Sequence, residues 1–291
     1  MLIDEPRAQT IYEAMGATVI SSGGSAGNTI AGIASLGGKT GFIGKVRDDA
    51  LGRAFRHDIT AAGAVFPTLA ARDGPATARC LILVTPEGER TMNTFLGACV
   101  NLGPDDIDAS LILRSRFTYL EGYLYDLPRA QEAFHKAADI AHAAGRKVAL
   151  SLSDAFCVER HRSAFLRLID QHVDVLFANE AEIAALFKGE DLKKAITLLR
   201  GLTDLATVTR GAQGSIIVAK DALIELPAAP VAKVVDTTGA GDLYAAGFLF
   251  ALTRGLSHLE CGHLGSLAAA EIISHVGARP QTPLKTLAGI T

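Results

Sequence analysis

Apolar positions recur with helical spacing over residues 25–36, where Ala26, Ile30, Ile33 and Ala34 share one face. A second helix is predicted over 49–62, with Asp48 placed to cap it. The runs 17–21 and 40–46 read as a strand end and a strand. From 64 to 99 no helical period holds. There, the β-prone runs 78–84 and 90–95 flank Thr85-Pro86-Glu87-Gly88, the pattern of an antiparallel hairpin standing apart from the main sheet. Alternation restarts at Gly103-Pro104, with Pro104 suited to the first position of a helix. Buried strands are predicted at 117–121, 147–151, 173–177 and 205–209, separated by helices at 128–144, 160–171 and 180–200, the last broken around Gly189. Short strands at 215–219 and 222–226 turn at Lys220-Asp221, and a helix over 240–254 stops at Gly255. Ser257 and Glu260 form a capping box that opens one more helix. Strand–helix repetition of this kind predicts the α/β class, a parallel sheet covered by helices on both faces. With no fixed-period repeat and no long linker, the chain reads as a single domain.

Composition narrows the class. Of 291 residues 49% are apolar, yet only 6% are aromatic and none is Trp, so the interior is built mainly from Ala, Leu, Ile and Val. Twenty-eight basic against 31 acidic residues give a net charge of -3, which speaks against a nucleic-acid binder or a membrane-surface protein. The longest apolar run, 243–252, is about half the ~20 residues that span a bilayer. The start, MLIDEPRAQT, has no basic segment leading into an apolar run, so no signal peptide is predicted. Cys80, Cys99, Cys157 and Cys261 lack metal-site spacing and read as reduced, buried thiols of a cytoplasmic protein.

The chemistry concentrates in Asp236-Thr237-Thr238-Gly239-Ala240-Gly241-Asp242, between a β-prone run and an apolar helix. Glycines at a helix entrance let backbone N–H groups approach an anion, and the helix dipole adds partial positive charge. A carboxylate beside an anion cradle repels what the cradle attracts. Asp242 makes sense there if it accepts a proton from a hydroxyl attacking a phosphorus held by those amides. A glycine-rich helix start with Asp242 as a local cap would look the same, and the segment alone does not decide. A second glycine-rich region, Gly23-Gly24-Ser25-Ala26-Gly27-Asn28, opens the first helix. It is neither a Walker A loop nor GxGxxG. Close helix–sheet packing accounts for such glycines, Gly37 and Gly38 above all; the functional alternative is that Gly23 and Gly24 bring backbone against a ligand while the Asn28 amide bonds its hydroxyls.

Taken together, GGSAGNTIAGIASLGGKTGFIGKVRDDALG and DTTGAGDLYAAGFLFAL resemble the two signatures of the PfkB carbohydrate kinase family, the ribokinase and adenosine kinase relatives. Asn179-Glu180-Ala181-Glu182 is similar to its NxxE element and Thr209-Arg210-Gly211-Ala212-Gln213-Gly214 to its TxGxxG turn. The resemblance covers nearly the whole chain and implies a ribokinase-like three-layer α/β/α sandwich with a small β lid. On that reading residues 63–102, with part of 1–22, form the lid, and 23–62 and 103–291 form the core.

The resemblance further implies an ATP-dependent kinase with Asp242 as catalytic base and the amides of Gly239, Ala240 and Gly241 as anion hole. Gly24 and Asn28 would face the phosphoryl acceptor, and Thr209, Gly211 and Gly214 the ATP. Asn179 and Glu182 would hold Mg2+ through water; without the family, Glu182 reads as a solvated helix residue. A monovalent cation such as K+ would sit at Asp236 and carbonyls near Thr238 and Gly277. Arg90, on the hairpin, would reach the transferred phosphoryl or else be a solvated arginine. Family members begin with a core strand and an early sugar-binding Asp. With about 22 residues ahead of Gly23 and Asp4 outside a strand context, this chain reads as short of a strand or two, which leaves a sheet edge open to pairing with a second copy.

The stretches TARCLILVTPEGERTMNTFLGA, YLEGYLYD and LSDAFC look most like bacterial adenosine-kinase-like members, with Tyr123, Tyr125 and Phe156 as purine-stacking or core aromatics. The expected acceptor is therefore the primary hydroxyl of a nucleoside. A sugar kinase of ribose or fructose type, and a non-catalytic nucleoside or ATP binder, stand as alternatives.

Overall fold

In the computed structural model, residues 1–85 and 90–290 are described. Of the predicted turn, Pro86-Glu87-Gly88 lies outside them, as does Glu89. The elements in order are α1 (Glu5–Ala14), α2 (Ser25–Ser35), β1 (Thr40–Gly41), α3 (Ala50–Ala61), β2 (Ala64–Val65), β3 (Arg79–Val84), β4 (Arg90–Phe95), α4 (Ala109–Arg114), β5 (Phe117–Glu121) and α5 (Pro128–Ala143). Then come β6 (Lys147–Ser151), α6 (Ala155–His172), β7 (Val175–Asn179), α7 (Glu180–Leu186), α8 (Leu192–Leu202), β8 (Leu205–Thr209), β9 (Ser215–Ala219), β10 (Leu223–Leu226), α9 (Ala240–Thr253), α10 (His258–Ile272) and α11 (Leu284–Leu287).

Six strands form the main sheet in the order β10-β9-β8-β7-β6-β5. The four from β5 to β8 are parallel, and β9 and β10 run antiparallel at one edge. Because side chains alternate along a strand, each strand feeds two cores. Val148, Leu150, Leu176, Ala206 and Val208 pack beneath α5 to α8, whereas Ala149, Val175, Phe177, Leu205 and Ile217 pack beneath α9 and α10. This is a three-layer α/β/α sandwich. The hairpin β3–β4 makes its own two-stranded sheet, with α1 on one face through Ala8, Leu81 and Phe95. Leu2 bridges to Thr94 at its edge.

Several expectations change. The predicted strand end at 17–21 is irregular chain, with Val19 and Ile20 82% and 70% exposed, because an apolar run forms a strand only where a partner edge exists. The strand over 40–46 shrinks to β1, paired with β2. The cap of α3 is Asp49, not Asp48: its carboxylate accepts from Gly52 N at 2.7 Å and also from the Thr77 amide and hydroxyl, a partner 28 residues away. Pro104 opens a single 3-10 turn, and Asp108 caps the helix that follows. Helix α6 starts at Ala155 because Asp154 caps it through Cys157 N, and it is kinked at His161, whose ring meets Asp126 at 2.8 Å. Cys157 and Cys261 are buried free thiols, while Cys80 is exposed and Cys99 half-buried. No described helix is long and apolar enough to cross a membrane.

Candidate active site

Two helix N-termini meet at the center of the molecule. Helix α9 begins after Gly239, whose φ of 84° is left-handed, and α2 begins after Gly24, also at φ 84°. The two helices come together because α2 presents Gly32, where a Cβ would stand 2.6 Å from Leu243 Cδ1 and 2.7 Å from Ala246 Cβ. Asp242, in the first turn of α9, therefore faces α2. Ser25 Oγ donates to its Oδ1 at 2.7 Å and Asn28 Nδ2 donates to its Oδ2 at 2.8 Å. Burial pushes the Asp242 carboxyl above its ordinary value, while those two donors and the charges of Arg279 and Arg90 pull it back. Asn28 Oδ1 is buried and has no partner among the described residues, so it remains available as an acceptor.

The strand ends supply the rest of the floor. Glu121, the last residue of β5, accepts from Ala26 N at 2.8 Å. Burial pushes its carboxyl up to about 7; the Ala26 amide opposes this and the Asp242 charge adds to it. At the end of β7, Asn179 and Glu182 form a capping box. Glu182 N donates to Asn179 Oδ1 at 2.9 Å, and the Asn179 amide and side-chain nitrogen donate back to Glu182 at 3.0 and 2.8 Å. Glu182 is buried rather than solvated; burial pushes it up to about 7, with Asp154 and Asp242 adding to the push.

In the loop before α9, Asp236 is buried, and its carboxylate accepts from Thr238 N at 2.9 Å, Thr238 Oγ1 at 2.7 Å and Gly277 N at 3.1 Å. Burial raises this carboxyl, but the three donors and Arg90 outweigh that and hold it below the ordinary range. Arg90 reaches across from β4, donating to Thr237 Oγ1 at 2.8 Å and Thr238 Oγ1 at 3.4 Å. On the far side Thr209 ends β8, and the turn after it closes at Gly214, where a Cβ would stand 1.9 Å from Leu226 O. A cleft runs past Gly24, Asn28 and Arg90 through Asp242 to Asn179, Glu182, Thr209 and Gly211. It also continues past the edge of β5 toward β1.

A family model, pfkB family carbohydrate kinase, matches residues 6–285. The chain belongs to this family. The solved adenosine kinase of Sinorhizobium meliloti is 51% identical at TM-score 0.96, covering 99% of this chain and 88% of that one. A probable sugar kinase from Rhizobium etli CFN 42 is 46% identical at TM-score 0.96, with the same coverage. Among curated relatives, the adenosine kinase of Saccharomyces cerevisiae is 27% identical over 276 residues, 89% of this chain and 80% of that protein.

As a pfkB-family kinase, the protein is an ATP-using phosphotransferase with an alcohol acceptor of the nucleoside or sugar class. Its cleft also holds residues that carry no local mark in the sequence. Ser25 lies in the glycine-rich segment 23–28 and meets Asp242 across 217 positions. In the sequence Glu121 is an acidic residue closing the strand FTYLE. Arg279, near the C-terminus, binds the glycine loop of α2 through the carbonyls of Ser22, Gly23 and Gly27. The candidate aromatics separate: Tyr123 and Phe156 line the cleft. Tyr125 is 1% exposed and packs on Phe134 and Phe165, so it belongs to the core. Asp4 caps α1.

Proposed function

We propose that this pfkB-family kinase phosphorylates the primary hydroxyl of an adenosine-like nucleoside, using ATP. The observation that carries the reading is Asp242, a carboxylate held by Ser25 and Asn28 beside the N-terminal amides of α9. In this reading the acceptor hydroxyl lies against Asp242, its oxygen attacks the γ-phosphorus, ADP departs, and the proton passes to the carboxylate. The hydroxyl acidifies late in a loose transition state, so a carboxylate is a strong enough base. The amides of Gly239, Ala240 and Gly241 stabilise charge on the moving phosphoryl group.

Asn28 Oδ1 and Glu121 supply the acceptors that nucleoside or sugar hydroxyls require, and Gly24 leaves room for close approach of the backbone. Tyr123 and Phe156 offer faces on which a purine stacks. Thr209, Gly211 and Gly214 border the nucleotide. The hairpin β3–β4 acts as a lid that keeps water, a competing nucleophile, away from the phosphoryl group, with Arg90 as its link to the anion loop.

The Asn179 side-chain oxygen and a Glu182 carboxylate that burial, with Asp154 and Asp242 adding, presses toward protonation fit a divalent cation. Mg2+ held there through water would supply charge neutralisation on the ATP phosphates, and because it keeps several waters it would need no cage of protein ligands. Asp236 ties the turn at Thr238 to that at Gly277, and carbonyls of these two turns are where K+ would be held.

A panel of adenosine, inosine, guanosine, ribose and fructose tested with MgATP checks the reading by separating nucleotides and sugar phosphates chromatographically. A 5′-monophosphate from adenosine is expected to form fastest. Product from ribose or fructose alone would replace the acceptor class, and no product with any of the five would refute it.

A further inference from the structure

Residues 277–279 touch three parts of the cleft at once. Gly277 N donates to Asp236, and buried Ala278 lies so close to Gly239 that a Cβ on the glycine would stand 3.2 Å from the Ala278 Cβ. Arg279 turns the other way. Its Nε donates to Ser22 O at 3.1 Å, Nη2 to Gly23 O at 3.3 Å, and Nη1 to Gly27 O. Three donors of one planar fork thus meet two carbonyls of the loop before α2, Ser22 and Gly23, and one in its first turn, Gly27.

We infer that Arg279 is a positioning residue that sets the acceptor side of the cleft by fixing the peptide planes of residues 22–28. The inference rests on the kinase reading above. Its physical basis is peptide planarity: the carbonyl of Gly23 and the N–H of Gly24 belong to one rigid unit and point in opposite directions. Anchoring Gly23 O on Arg279 therefore turns the Gly24 N–H away from the guanidinium. The same clamp fixes the first turn of α2, from which Ser25 and Asn28 reach Asp242. The far end of the loop is tied down as well, since Ser22 Oγ donates to Asp58 at 2.6 Å. Burial lowers the guanidinium to about 10, opposed by the charges of Asp242 and Asp58, so it remains a cation at neutral pH. Lysine carries the charge but offers one point of attachment in place of a planar fork, and so cannot hold three carbonyls in one geometry.

Among the described residues Arg279 donates to the carbonyls of Ser22, Gly23 and Gly27 and to none of Thr209, Gly211 and Gly214, which gives the inference a kinetic signature. In Arg279→Lys and Arg279→Met, acceptor KM is expected to rise about tenfold while the KM for ATP stays within about twofold. Amide exchange of residues 22–28 should accelerate in both variants, with α9 and the main sheet keeping their protection. Arg279→Lys is the informative variant if the methionine protein fails to fold. Parallel rises of both KM values, or unchanged acceptor KM with unchanged exchange in the loop, would overturn the inference. If the wild type phosphorylates no acceptor, the kinase reading falls. The exchange measurement then stands alone, and unchanged loop exchange in Arg279→Lys overturns the clamp.

Discussion

In the proposed reaction Asp242 is the residue on which the chemistry turns. Its carboxylate is raised by burial and held by Ser25 and Asn28. A base works only when deprotonated, so kcat should fall as pH falls through a value above the 3.8 of an ordinary aspartate. Asp242→Asn keeps the shape and both neighbours but cannot take the proton. The expected loss in kcat is on the order of 10²–10⁴-fold, with MgATP affinity kept and the acid limb of the pH profile gone. Steady-state rates from pH 5 to 9 and calorimetric titration with ATP check it; a near-normal rate would refute the assignment. The motif DTTGAGD already singles out this residue, because glycines at a helix start followed by a carboxylate are an unusual local combination. Glu121, Ser25 and Arg279 carry no such local mark. Each matters through a partner 95 to 257 positions away, and no spacing rule reaches that far.

At the scale of elements, the site exists because α2 and α9 bring their N-termini together, and Gly32 is what lets them do so. Gly32→Val would place methyl groups where Leu243 and Ala246 already sit. Overpacking of this kind costs about 1–3 kcal/mol, together with any distance the helices are forced apart. Urea unfolding should show that loss of stability, and turnover should fall as Asn28 moves from Asp242; an unchanged midpoint would show that α2 and α9 do not pack through this position. Most elements are legible in the periodicities: β5 to β9, the helix pair broken around Gly189, and the capping box at Ser257. Those that are not share a cause. Residues 17–21 look like a strand but have no partner, and 40–46 find one for two residues only. The start of α6 is hidden because the kink at His161 breaks the apolar stripe. Helix α1 is short and mostly polar, and it is defined by the hairpin it covers.

For the whole molecule, the decisive contact is between the hairpin and the core, and in the described residues Arg90 supplies it through Thr237 and Thr238. Arg90→Ala should lower kcat on the order of 10²-fold, as removal of a donor at a developing anion does. Because the side chain is exposed, stability should change by no more than ~0.5 kcal/mol. Phosphorylation rates beside urea unfolding curves separate these effects, and an unchanged kcat would remove Arg90 from the reaction.

The layer architecture, the family and the glycine-led starts of α2 and α9 are written in the order of residues, because they rest on periodicity, helix entrances and short motifs that neighbouring residues define. The burial of Glu121, Glu182 and Asp242, the exposure of Tyr123 and Phe156 to the cleft, and the grip of Arg279 on the N-terminal loop come from the folded arrangement alone. Burial and electrostatic pairing are properties of groups brought together by folding, and they have no counterpart in the order of residues along the chain.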